Sequence, residues 1–106
     1  MNLIGHEVGI YCETLIMSPC AKLRLFELSN RLTQKTYHER RWIGKARKAI
    51  IMEAADNLVV AGQKFTPETG CPHFVYVIDL KTCTILTMFM GRKNQKYLGL
   101  CEGSGL

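Results

Sequence analysis

Along residues 8–16, Val8, Ile10, Cys12, Thr14 and Ile16 fall on one face at a spacing of two, with Glu13 on the other. Tyr11 and Leu15 make that other face mixed, and the pattern predicts a strand with one buried side. Ser18–Pro19 then reads as a helix start, a capping hydroxyl followed by a proline whose fixed φ suits the first helical position. From there Ala21, Leu25, Leu28 and Leu32 recur at spacings of four, three and four, the apolar stripe of an amphipathic helix. After a polar break at Thr33–Lys35, a second helix is predicted from about Thr36 to Gly62. At about 100° per residue, Trp42, Ile43, Ala46, Ala49 and Ile50 share one side of it. Arg40, Arg41, Lys45, Arg47 and Lys48 share the opposite side, with Tyr37 and Gly44. Beyond Lys48 the residues turn apolar (Ile50, Ile51, Met52, Ala54, Ala55), which predicts a more buried end.

Pro67, Gly70 and Pro72 mark residues 63–72 as a loop. Phe74–Ile78 and Thr82–Met90 read as two strands joined through Asp79-Leu80-Lys81, a hairpin whose first strand is apolar on both faces. The predicted order is strand-helix-helix-strand-strand. It gives an α+β fold with two helices packed on one face of a small, mostly antiparallel sheet. Residues 1–106 form one domain in this reading, with 101–106 a loose tail.

Composition changes this picture little. At 106 residues with 47% hydrophobic content, a single core can form without metal or disulfide support. Apolar runs such as Val75-Tyr76-Val77-Ile78 are far too short to span a bilayer, so no membrane partner is expected. The first ten residues lack a basic residue before their apolar stretch and are interrupted by His6 and Glu7, which predicts no secretory leader. The five cysteines, at 12, 20, 71, 83 and 101, contain no C-x-x-C pair. They are expected as free thiols of a reducing, cytoplasmic compartment. A metal held by Cys71, His73 and a distant cysteine is the alternative. Structural zinc announces itself with two close ligand pairs, so no metal site is predicted.

Charge changes the picture more. From Lys22 to Lys48 there are nine Lys or Arg residues against Glu27 and Glu39, a balance of +7 (9 − 2), whereas the whole chain is +5. The rest is therefore −2 (5 − 7), and the basic character belongs to the helices. Arg40 to Lys48 spans about 12 Å of helix at 1.5 Å per residue, enough to meet a few successive phosphates. Arginine matches phosphate oxygens bidentately, and Tyr37 on the same side is suited to stacking on an unpaired base. Arg92 and Lys93, beside Tyr97 after the last predicted strand, extend the basic set. Such a face suits nucleic acid or an acidic protein surface, and a basic helix face is also often simply solvated.

Catalytic motifs are absent: there is no P-loop, dinucleotide fingerprint, nucleophile elbow or zincin motif, and no cofactor is implied. His38, followed by Glu39, Arg40 and Arg41, is the most reactive-looking cluster. Histidine beside arginine suits a general base for attack of a ribose 2′-hydroxyl on its own phosphate. His6 and His73 have no visible partner, and Glu53 and Asp56, one predicted helical turn apart, read as a polar patch. The element order, the basic second helix and the basic tyrosine-containing segment after the last strand are similar to small RelE-like ribonuclease toxins. Order and charge alone carry that likeness. The residues thus point first to a nucleic-acid-binding protein, for RNA or single strands, acting through Tyr37, Arg40, Arg41, Lys45, Arg47, Lys48, Arg92 and Lys93. The alternative is a non-enzymatic inhibitor that docks its basic helix on a larger partner. A third reading is a metal-independent ribonuclease of RelE-like type using His38 or Tyr97. Binding carries more of the residues than catalysis does.

Overall fold

The computed structural model describes residues 2–31, 39–63 and 73–91. A 3-10 turn at Val8–Ile10 precedes β1 (Ile16–Met17), α1 (Pro19–Arg31), α2 (Glu39–Arg47), β2 (Ile50–Ala55), β3 (Leu58–Gln63), β4 (His73–Asp79) and β5 (Thr84–Gly91). The strands form one five-stranded sheet in the order β1-β5-β4-β3-β2. β2 to β5 are an antiparallel meander, and β1 returns to lie parallel to β5. The fold is α+β with two helices, as the sequence leads one to expect, but the sheet is mixed and has five strands where three were expected.

The expected strand over residues 8–16 is mostly irregular. Val8–Ile10 is a single 3-10 turn, and only Ile16–Met17 pairs in the sheet. Gly5 adopts φ 91°, which lets the chain turn before it runs beside β2. Gly5 N–H donates to the Ile51 carbonyl (2.8 Å), Ile51 N–H to the His6 carbonyl (2.9 Å), and Val8 N–H to the Ala49 carbonyl (3.0 Å). The face implied by alternation is broken accordingly: Val8 and Cys12 are buried, but Ile10 and Ile16 are exposed and Leu15 and Met17 point inward.

The second helix stops at Arg47, and residues 50–63 form a hairpin where a helix to Gly62 was expected. Ala55 pairs with Leu58 across the two-residue turn Asp56–Asn57, with Asp56 at φ 56°. Aspartate tolerates this left-handed conformation, and the β-branched Ile50, Ile51, Val59 and Val60 prefer the pleated surface to a helix. Glu53 and Asp56 therefore do not share a helix face: Glu53 lies in β2 opposite Val60, and Asp56 lies in the turn. Helix α1 starts as expected, with Ala21 N–H donating to Ser18 Oγ (3.0 Å) while that hydroxyl donates to the Leu86 carbonyl (2.7 Å). Ser18 thus caps α1 and ties it to β5 at once. The β4–β5 hairpin also forms, joined through residues 80–83.

One face of the meander carries Ile51, Val59, Ala61, Phe74, Tyr76, Ile78, Ile85 and Met88, and these form one buried cluster with Ala21 and Leu25 of α1 and Trp42 and Ala46 of α2. Val60, Val75 and Val77 form a second cluster, with Met52, Leu58, Leu86 and Phe89 packed against it. No helix among the described residues is long and apolar enough to cross a membrane.

Cys12 and Cys83 are joined as a disulfide, with Cα atoms 5.6 Å apart, so the expectation of five free thiols is corrected. The bond ties the segment before β1 to the β4–β5 turn, contacts 71 residues apart that no local spacing reveals. It also withdraws two thiols from the argument for a reducing compartment. Cys20 keeps its thiol. Cys71, the first ligand of the alternative metal set with His73, lies outside the described residues. Among those residues no group of three or more His, Cys, Asp or Glu is assembled for a metal.

Two measurements check this core. Denatured, unreduced protein is expected to titrate at most three thiols (5 − 2). Replacing Cys12 by alanine should lower stability by about 4 kcal/mol, the loop-closure entropy of so long a loop. A count of five would remove the disulfide. Separately, burial raises the Tyr76 phenol well above its usual 10.0. The unfolded phenol ionises first, so this contribution is complete below about pH 10 and is lost progressively as pH rises above it. Alkaline melts of Tyr76→Phe should lose stability less steeply above pH 10 than those of the parent.

Candidate functional site

The two sides of helix α2 have different partners. Trp42 is only 6% exposed and meets the Phe74 ring edge-on, centroids 4.7 Å apart at 69°. Such a pair adds about 0.5–1.5 kcal/mol to the burial itself. Ala46 and Ala49 are buried one and two turns further on, and Ile43 packs at the margin of the same core. This seats the helix in one rotation. Arg40, Arg41, Arg47 and Lys48 consequently stand exposed on the outer side.

Among the described residues no acid is paired with these four cations. Glu39 pairs with Lys22 of α1 (3.7 Å), and Glu27 pairs with Arg24 one turn away (2.9 Å). Arg24 also donates to the Met88 carbonyl (3.4 Å), so it serves α1–β5 packing. Both acids of the basic segment are thus held by cations of α1. Among the described residues Arg40, Arg41, Arg47 and Lys48 have no ion-pair partner. Lys45 differs: it is half-buried, with its ammonium 4.6 Å from the centre of the Trp42 ring. A cation over an indole is stabilised by about 0.5–1 kcal/mol at exposed sites, so Lys45 is partly committed to the helix. Arg47 and Lys45 in the last turn also complement the negative end of the helix dipole.

The sequence-chosen residues are therefore only partly brought together. Arg40, Arg41, Arg47 and Lys48 share one surface, with Lys45 at its edge. Tyr37, Arg92 and Lys93 lie outside the described residues, as do His38 and Tyr97 of the ribonuclease reading. His6, given no partner from sequence, meets Tyr11: the phenol oxygen and Nδ1 are 3.2 Å apart and the rings stack. One carboxylate oxygen of Glu53 is buried without a hydrogen-bond partner among the described residues.

Sequence reasoning missed the wall opposite the cations. The turn at Val8–Ile10 lies against the C-terminal end of α2, and an open depression of about 390 Å³ between them is lined by Glu7, Gly9, Ile10, Gly44, Arg47 and Lys48. Gly9 permits the approach, because a Cβ there would come to 3.1 Å from the Arg47 carbonyl oxygen. A Cβ at Gly44 would meet nothing within 4 Å, so this glycine leaves open space and makes no close contact. Gly44 between cations was the one local signal for such a recess.

Comparison with known proteins found no match: no family model, no curated protein and no solved structure is similar to this chain.

The packing makes opposite demands on the two sides of α2. Trp42→Ala should destabilise by about 3–5 kcal/mol, the usual loss for a buried indole. Arg41→Ala should change stability by no more than about 0.5 kcal/mol, as exposed substitutions do. Parallel urea melts check both, and a reversed ranking would mean that the helix is rotated.

Proposed function

We propose that this protein binds nucleic acid, RNA or single strands, with little sequence preference, through the exposed cations of α2. The observation that carries this reading is the exposed set Arg40, Arg41 and Arg47 on one side of α2, with Lys48 just past its end, none of them ion-paired among the described residues, while the other side of the helix is buried. Arg40 and Arg47 are two turns apart along the helix, about 10 Å at 1.5 Å per residue, and Lys48 follows directly after its last turn. That distance suits contact with successive phosphates, each neutralised phosphate releasing counterions to the solvent.

A second reading, an acidic protein partner bound without catalysis, is favoured by a separate observation. Leu23 and Phe26 of α1 are more than half exposed and one turn apart. Large apolar side chains in pairs on a cationic protein suit a protein contact with an acidic rim.

Anisotropy titrations of a labelled single-stranded RNA against salt should give a log–log slope of roughly −2 to −5, a handful of phosphate contacts. Arg40→Ala and Arg41→Ala should each reduce the size of that slope by about 1 and weaken all sequences alike. A flat salt response, or charge variants that bind as the parent does, would leave the face merely solvated.

A further inference from the structure

The depression between the 3-10 turn and α2 differs in kind from the convex row of cations beside it. It is concave, about 390 Å³, and combines two cations, one carboxylate, one apolar side chain and two glycines. We infer that it is a subsite for one nucleotide of a single-stranded nucleic acid, with the phosphate at Arg47 and Lys48 and the base lying over Gly44 against Ile10. This rests on the nucleic-acid reading above and names the form of substrate that the site takes.

Size is the first reason. The volume lies near the lower end of the roughly 300–1,000 Å³ typical of small-molecule sites, room for a nucleotide and not for a folded segment. The shape of the floor is the second. No side chain rises from Gly44, where a Cβ would stand in open space, so a flat ring can approach the helix backbone itself. Ile10 is 66% exposed at the rim and has apolar surface to bury against a base. Charge is the third. The Glu7 carboxylate and the negative end of the α2 dipole, about half a unit charge, oppose an anion here, and Arg47 and Lys48 leave a small positive balance. Two of the terminal carbonyls are also occupied, since Lys48 N–H donates to the Lys45 carbonyl (3.2 Å) and Ala49 N–H to the Ala46 carbonyl (3.1 Å). Glu7 supplies an acceptor for an exocyclic amine of the base, a role carboxylates take toward cytosine. A base within a duplex is stacked on both faces and cannot enter, so the recess selects single strands.

Gly44→Leu tests this without removing a charge. The added side chain fills the recess, and leucine is a better helix residue than glycine, so the fold is retained. Affinity for a single-stranded RNA should fall several-fold, because the base loses its apolar contact with Ile10 and the helix backbone. Affinity for a duplex of the same sequence, and the salt slope, should stay at parental values. If Gly44→Leu binds the single strand as the parent does, or loses single strand and duplex equally, the subsite is overturned while the basic face stands. If the parent binds neither, both readings fail together. A titration of the parent with adenosine 5′-monophosphate, followed by amide NMR, is independent of the variant. It should shift the Gly9 and Gly44 resonances, and inorganic phosphate alone should leave Gly44 in place. Unmoved glycine resonances at saturating nucleotide would overturn the inference.

Discussion

The seating of Trp42 against Phe74 is the contact on which the arrangement of the surface depends. An indole is the largest apolar group in α2, and removing it from water against an aromatic on the central sheet fixes the rotation of the helix. With Trp42, Ala46 and Ala49 inward, every remaining cation of α2 except Lys45 has solvent as its neighbour. A rotation of one residue, about 100°, would bury an arginine, whose desolvation costs several kcal/mol without a partner. Packing and charge therefore agree on one orientation. The binding face is a by-product of the core.

The same logic extends to the recess. Gly9 and the 3-10 turn approach the end of α2 because Val8 is buried beneath it and Val8 N–H is held by the Ala49 carbonyl. The disulfide between Cys12 and Cys83 anchors the following residues to the β4–β5 turn. The wall opposite Arg47 and Lys48 is thus supported on two sides, by the start of β2 and by a covalent bond. Of the uncharged lining residues, Gly44 and the exposed Ile10 take no part in core packing, whereas Gly9 is needed for the close approach to Arg47. Residues that contribute nothing to packing yet line a concavity next to exposed cations are suited to serve a ligand.

The ion pairs illustrate why net charge alone says little about where a partner binds. Lys22 and Arg24 contribute to the excess of the basic segment, but each sits beside an acid. Exposed pairs of this kind contribute little to stability, at most about 1 kcal/mol. Among the described residues of the basic segment, the unpaired cations left are those at and just after α2, a field that raises association rates with anionic partners and falls with salt.

The sequence by itself determined the α+β class, the start of α1 at Ser18–Pro19, the β4–β5 hairpin and the two sides of α2. Each is a local signal: a cap with its proline, a run of β-branched residues between turn residues, or an apolar stripe at helical spacing. Chain-local patterns did not determine where α2 ends, since Ile50 to Ala55 suits a buried helix as well as a strand until β3 pairs with it. Nor did they reveal that residues 8–16 turn instead of extending, because Val8, Cys12 and Ile51 are held by partners far along the chain. The recess and the disulfide belong wholly to the tertiary structure. Both join segments dozens of residues apart, and only the closure of the sheet brings Gly9 to Arg47 and Cys12 to Cys83.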